Sequence, residues 1–280
     1  MEERVITDHL VKSFEMHLLE NEKAETTVQK YMRDIRCFVE YAHKQVIDKA
    51  MLLNYKGMLR ETYAIRSVNS IIAALNTFFR FANWHDLCIK QFKVQKEAYC
   101  SESKELTKDE YTALVRTAEE KKNERLSLVL QTICGTGIRV SELQSITVEA
   151  VRRGEAVVSC KGKIRKIFIV KALQKKLLRY ALKQEITTGV LFVTKSGKPL
   201  NRSNIWRQMK NLCEQAGVSP QKVFPHNLRH LFARTFYGIE KDIAKLADIL
   251  GHSNINTTRI YIITTGAEHQ RRMETMRLII

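Results

Sequence analysis

The sequence predicts a mostly α-helical chain of two domains. A four-helix unit comes first, and a mixed α+β unit with a small antiparallel β-hairpin follows. Three observations predict it. Apolar residues recur at helical spacing through the first hundred residues. Two β-prone runs, Ala156–Cys160 and Lys166–Val170, flank a basic, glycine-containing segment, Lys161–Arg165. Between the two units, from Gln91 to Glu105, periodicity gives way to polar and charged residues. The expected layout is a helical domain over 1–92, a linker over 93–104 and a second domain over 105–280.

Thr7 or Asp8 opens a first helix through Leu10, Phe14 and Leu18. Thr27 precedes a stripe of Val28, Tyr31, Ile35, Phe38, Val39 and Ala42, which faces a core. A shorter helix covers Asp48 to Leu59, and Ser67 precedes a stripe from Val68 through Ile72 and Leu75 to Ala82. In the second unit Thr107-Lys-Asp-Glu110 has the form of a capping box: the threonine hydroxyl and the glutamate carboxylate each take an otherwise unpaired N–H. A helix from Leu126 to Cys134 is expected to stop at Gly135 and Gly137, and Val140–Ile146 turns helically again. After the hairpin, Leu191–Thr194 reads as a short strand, and from Asn201 onward the chain is mostly helical.

The composition narrows the function classes. The 280 residues carry 47 Lys+Arg against 30 Asp+Glu, a formal charge of +17. Residues 1–100 account for +2 and residues 101–280 for +15, so the positive field belongs to the second unit. Such one-sidedness suits a polyanion, nucleic acid before an anionic membrane. No apolar run reaches the roughly 18–20 residues of a membrane span, and the acidic start Met1-Glu2-Glu3 lacks the apolar segment of an export signal. The six cysteines, at 37, 88, 100, 134, 160 and 213, include no CxxC pair, which points away from zinc and from a disulfide framework and toward reduced cytoplasmic thiols.

Several polar residues stand where a plain core has no need of them. Arg139 follows Gly135-Thr-Gly137, a turn able to offer backbone N–H groups to an anion, although two glycines in isolation read more readily as a plain helix-to-helix turn. Lys161 sits at the hairpin tip, with Lys163 and Arg165 beside it. In Pro225-His-Asn-Leu-Arg-His230, proline favours a helix start, and His226 and Arg229 share one face. His252 follows Leu250-Gly251, and Tyr261 comes nine residues later. Singly, each has an ordinary reading: a solvated lysine, a core tyrosine, a structural histidine. His226 and His230 at i, i+4 lack the glutamate and third ligand of a metal site.

Together, the order Arg139, Lys161, His226-x-x-Arg229, His252, Tyr261 resembles the tyrosine recombinases, the lambda-integrase family. The local contexts match too: Thr136-Gly-Ile-Arg-Val-Ser-Glu-Leu143, His226-Asn-Leu-Arg-His230 and Leu250-Gly-His-Ser-Asn-Ile-Asn-Thr-Thr-Arg-Ile-Tyr261. Residues 27–42 and 67–82 resemble the main helices of the family's DNA-clamping N-terminal domain. Cys160 departs from the glycine that often precedes the hairpin lysine.

The resemblance implies a site-specific recombinase that cuts and rejoins DNA through a 3′-phosphotyrosine, without metal, ATP or other cofactor. It also implies its residue roles. Tyr261 attacks; Arg139 and Arg229 bind the nonbridging oxygens; His226 takes the tyrosine proton; His252 hydrogen-bonds the phosphate; Lys161, or Lys163 as competitor, protonates the leaving 5′-oxygen. Glu142 holds Arg139, and His230 supports the site. The expected DNA contacts are Lys30, Arg33 and Arg66 in the first domain and Lys163, Arg165, Arg202 and Arg207 in the second. The implied partners are double-stranded DNA, three further copies in a synaptic tetramer, and a paralogous recombinase or directionality factor. An apolar end, Met276 with Leu278, Ile279 and Ile280 after a helix over 267–277, is expected to dock on a neighbouring copy. The alternatives are a type IB topoisomerase, which shares the catalytic set, and a catalytically idle DNA-binding protein, which needs a substituted catalytic position. A compact chain without an arm-binding domain resembles Xer-type or small mobile-element recombinases.

Overall fold

The computed structural model describes residues 4–43, 45–93, 105–160, 163–194, 196–261 and 273–275. The chain divides into two compact units, Met1–Lys96 and Glu97–Ile280. Among the described residues, no helix is long and apolar enough to cross a membrane.

The first unit holds α1 (Asp8–Glu20), α2 (Glu25–Ala42), α3 (Lys49–Thr62) and α4 (Ile65–Phe81). Thr7 caps α1 and Asp48 caps α3 through their side-chain oxygens. By contrast, α2 and α4 begin earlier than Thr27 and Ser67 suggest. Ala24 and Ala64 precede them without a side-chain cap, and their carbonyls close the first turns, so no cap residue marks these starts. The apolar stripes meet as expected: Phe14, Leu18, Ile35, Phe38, Leu52, Ile72, Leu75, Phe78 and Phe79 are all buried in one core. Phe14 packs edge-on against Phe78 at 5.2 Å.

One group in this unit departs from expectation. Asp34 is buried on α2, and both Lys30 (2.6 Å) and Arg33 (3.0 Å) reach it. Lys30 also donates to the carbonyl of Ser70 on α4. Its ammonium, expected to contact DNA, thus ties α2 to α4 while staying partly exposed. Arg33 and Arg66 stay exposed.

The second unit starts with α5 (Lys108–Glu120), whose Thr107–Glu110 capping box is formed in both directions. α6 (Glu124–Thr136) runs through Gly135, and Gly137 in the left-handed conformation ends it. A 3₁₀ turn (Val140–Ser145) and α7 (Val148–Arg153) lead to β1 (Glu155–Cys160) and β2 (Lys163–Phe168), paired antiparallel from Glu155 opposite Phe168 to Cys160 opposite Lys163. β2 thus begins three residues before the β-prone run, and Arg165 lies within a strand, not at a tip. α8 (Lys171–Lys183) follows. Where a strand is expected at Leu191–Thr194, the described residues show the isolated bridges Thr147–Val190 and Val193–Pro199. α9 (Arg202–Lys210), α10 (Pro225–Glu240), α11 (Ile243–Leu250) and α12 (Ile255–Arg259) complete the unit. Leu130, Ile133, Val151, Val158, Leu177 and Leu228 lie in its main core, which joins the helices to one hairpin face. Residues 94–104 of the expected linker, Lys161, and residues 276–280 of the apolar end lie outside the described residues; 273–275 are helical.

Candidate active site

Arg229 organises the site. It is only 2% exposed, a large charged side chain inside the protein. Such a charge is costly to bury unless its donors are met. Two helix ends meet them. Arg229 donates from Nη1 to the Gly137 carbonyl at 2.5 Å and from Nη2 to the Leu250 carbonyl at 2.7 Å. These carbonyls stand at the C-termini of α6 and α11, the negative ends of two helix dipoles. Burial and the nearby Arg139 lower the Arg229 pKa to about 10, so the guanidinium still stays charged at neutral pH.

Both helices end in glycine for a physical reason. Gly137 (φ +65°) and Gly251 (φ +66°) are left-handed, a region side chains disfavour. A Cβ on Gly137 would stand 2.5 Å from the Phe232 ring, and one on Gly251 would stand 2.4 Å from the Arg165 side chain. This also corrects the anion-cradle reading of Gly135-Thr-Gly137. The N–H groups of Gly137, Ile138 and Arg139 are taken by the Ile133 carbonyl, the Thr136 hydroxyl and the Glu142 carboxylate. The turn aims a carbonyl at an arginine instead.

Glu142 is buried rather than an ordinary surface partner. It accepts from Arg139 Nη1 at 2.8 Å and, through its other oxygen, from Arg165 Nη2 at 2.6 Å. Arg165 also donates to the Ile249 carbonyl at 2.9 Å, and its side chain is 11% exposed. The expected DNA contact of Arg165 is therefore replaced by an internal strut from β2 to Glu142 and the end of α11. Inside, a carboxylate lying 23 residues away in sequence competes for the guanidinium.

Pro225 starts α10 and places His226 and Arg229 on one face, as the spacing predicts. They line a cavity of about 220 Å³ with Ile138, Arg139, Ser141 and Arg202. Arg202, at the first turn of α9, is thus beside the catalytic candidates rather than among peripheral contacts; Arg207 is exposed on the same helix. A larger hollow of about 430 Å³ lies elsewhere, lined by Glu119, Glu124, Lys176 and Lys183 among others. Two of its lysines bond neighbours, Lys183 to Glu124 and Lys176 to Gln131, and it holds neither the histidines nor the tyrosine, so we place the chemistry at the arginine-lined cavity.

Tyr261 is 4% exposed and packs with Ala233, Leu246 and Leu250. Three imidazoles surround its ring: His230 edge-on at 4.2 Å, His252 stacked at 5.4 Å and His226 tilted at 5.7 Å. Tyr261 stands close enough to Arg229 to favour that arginine's charge. His252 Nε2 lies 3.0 Å from Arg229 Nη2, and its Nδ1 lies 2.9 Å from Thr258 Oγ1. A guanidinium only donates, so Nε2 accepts and Nδ1 carries the proton. In this arrangement both ring nitrogens of His252, expected to hydrogen-bond the phosphate, are engaged by Arg229 and Thr258.

All three histidines are held toward the neutral form. Loss of solvent around the ring is the first cause in each, followed by neighbouring positive groups: Arg229, Arg202 and Arg139 for His226; His226 and Arg229 for His230; Arg229, Arg139 and Arg165 for His252. His230 is lowered to about 3 and His252 to about 4. In the unfolded chain they titrate near 6.5. Below that pH the unfolded chain binds more protons, so stability is full above about 6.5 and falls as the pH drops toward 4. Each of His230 and His252 steepens that fall. Urea midpoints measured from pH 8 to 4 are expected to be flat and then fall, with a shallower fall in His230→Phe.

The order of motifs does not reveal Thr258, the interior role of Arg165 or the place of Arg202. Only the Thr257-Thr258 pair before Tyr261 carries a signal, and threonine pairs are too common to be read alone.

Comparison with known proteins agrees with this geometry. Residues 104–267 match the phage integrase family, and residues 11–86 match the phage integrase N-terminal SAM-like domain. The chain is 30% identical to the tyrosine recombinase XerA of Pyrococcus horikoshii, over 99% of this chain and 96% of that protein. It is 29% identical to the tyrosine recombinase XerD of Staphylococcus haemolyticus, over 87% and 89%. In fold it is similar to a lambda integrase dimer bound to a COC′ core site (TM-score 0.74, 19% identity, 93% of this chain and 78% of that one). It is also similar to crystalline XerA recombinase (TM-score 0.55, 22% identity, 98% and 100%). With Arg139, Arg229 and His226 at one basic cavity, three histidines around the Tyr261 ring, and both domain models matched in order, the chain belongs to the phage integrase family of tyrosine recombinases.

Proposed function

We propose that this chain is a site-specific recombinase that cuts and rejoins double-stranded DNA through a 3′-phosphotyrosyl intermediate. The observation that carries this reading is the convergence of Arg139, Arg229 and His226 on one positively charged cavity, with the ring of Tyr261, 122 positions after Arg139, packed against His226. In this reading residues 1–92 clamp the duplex, 93–104 link, and 105–280 catalyse.

The chemistry follows from the side chains. A phosphodiester entering between Arg139 and Arg229 has its negative charge met by guanidinium donors that Glu142 and two helix ends already hold in place. Such fixed donors stabilise the added charge of the pentacovalent transition state without reorganising. Binding requires Tyr261 to exchange its place beside Arg229 for the phosphorus. His226, held toward the neutral form first by burial of its ring and then by the neighbouring arginines, accepts the phenol proton. The tyrosine oxygen bonds to phosphorus, the bond to the 5′-oxygen breaks, and Lys161 or Lys163 gives that oxygen a proton. A hydroxyl from a second strand reverses the step, because the phosphotyrosine keeps the diester's bond energy. Strand exchange then needs two duplexes and four copies, acting on DNA in the cytoplasm. Arg202, Arg207, Arg33 and Arg66 are the cations offered to phosphates, which position the duplex without reading it.

The test uses supercoiled plasmids carrying none, one or two copies of a duplex that the protein selects by binding from a random pool. Recombinant circles are expected only with two copies, in the presence of EDTA. Relaxation of the site-free plasmid with no recombinant product would support the topoisomerase reading instead.

A further inference from the structure

Thr258 has no part in the catalytic set above, yet it is fully buried within one turn of the nucleophile. It lies on α12, the short helix that ends two residues before Tyr261. Its two ends bind different parts of the site. The hydroxyl lies 2.9 Å from His252 Nδ1. The carbonyl accepts the Tyr261 N–H at 3.0 Å. His252 in turn stacks on the Tyr261 ring at an interplanar angle of 17° and accepts from Arg229.

We infer that Thr258 is a positioning residue that locks His252 in its Nδ1–H form and thereby joins the nucleophile's turn to Arg229. The reasoning is one of donors and acceptors. His252 can accept from Arg229 only while Nε2 is bare, and a neutral imidazole with bare Nε2 must carry its proton on Nδ1. A buried N–H without an acceptor is unfavourable. The Thr258 hydroxyl supplies that acceptor. Without it the Nδ1–H is left buried and unmet, which drives the ring to turn away or to take the other tautomer, and that tautomer points an N–H at the N–H of Arg229. The arginine then loses one of its three fixed partners, and the tyrosine loses the flat face against which its ring rests. The same side chain therefore sets the aim of the phosphate-binding group and of the attacking group.

The inference rests on the recombinase reading for its effect on cleavage, but not for its effect on the ring. Two measurements separate these. In the DNA-free full-length protein, ¹⁵N spectra of labelled histidine, assigned with His252→Gln, are expected to show His252 with protonated Nδ1 and bare Nε2. Thr258→Val, which keeps the shape and removes the hydroxyl, is expected to shift that signature toward the other tautomer; Thr258→Ser is expected to retain it. In single-turnover cleavage at saturating DNA, Thr258→Val is expected to fall about 10- to 100-fold, the scale of a small misalignment of reacting groups. Thr258→Ser should stay within a few-fold of wild type, and DNA affinity should be unchanged in both. An Nε2–H ring in the wild type overturns the inference. So does an unchanged ring in Thr258→Val, whether cleavage is retained or falls only in step with thermal stability. A wild-type protein that cuts no DNA overturns the recombinase reading instead, while the spectra still decide the role of Thr258.

Discussion

Replacing Arg229 with lysine is expected to reduce single-turnover cleavage by about 100- to 1,000-fold, the scale seen when one fixed donor to a transition-state oxyanion is lost. The charge is kept, so a purely electrostatic account of the site predicts a mild effect. The geometry predicts a severe one. Arg229 reaches the Gly137 carbonyl, the Leu250 carbonyl and His252 Nε2 from two nitrogens of one planar fork. A lysine ammonium is a single point on a shorter reach and cannot serve acceptors on two helix ends and an imidazole together. At least one buried carbonyl then goes without a donor, at a cost of about 1–3 kcal/mol. Thermal unfolding and cleavage should therefore fall together in Arg229→Lys. A variant that folds normally and cleaves within a few-fold of wild type would contradict the view that this arginine is held by the ends of α6 and α11.

Much of this arrangement is legible in the amino-acid sequence. Helical stripes report which face of a segment is buried, so the four helices of the first unit and their aromatic core follow from Phe14, Phe38, Phe78 and their spacing. The Thr107–Glu110 capping box is local, and it forms as written. The positions of Arg139, His226, Arg229, His252 and Tyr261 are legible because their order and flanks travel together. What is not legible is the direction taken by long polar side chains. Arg165 and Lys30 look like surface cations, but each turns inward to a buried carboxylate, Glu142 or Asp34. For Arg165 the partner comes from another element, which no local pattern encodes. The glycines are ambiguous for a related reason: a Gly-x-Gly turn can present N–H groups or carbonyls, and only the chain around it decides. Here Thr136 and Glu142 take the N–H groups, which leaves the Gly137 carbonyl for Arg229. The 3₁₀ turn after Arg139 and the bridges at 190–199 are too short for periodicity to specify.

The central claim is that Tyr261 is the nucleophile, and its predicted effect is the largest of all. Tyr261→Phe keeps the ring among His226, His230 and His252 and removes only the hydroxyl. Folding and DNA affinity should be nearly unchanged, since the ring supplies the packing with Ala233, Leu246 and Leu250. Covalent chemistry should vanish, because the phenol oxygen is the atom that bonds to phosphorus in this mechanism. The direct measurement is denaturing electrophoresis of wild type and Tyr261→Phe incubated in EDTA with labelled duplexes selected by binding and nicked so that the released strand diffuses away. Protein-linked DNA is expected with wild type alone, joined through a 3′-phosphate, with Tyr261 recovered in the linked peptide. Protein-linked DNA that persists in Tyr261→Phe would contradict the account, as would tight, sequence-selective binding by the wild type that never yields a covalent adduct.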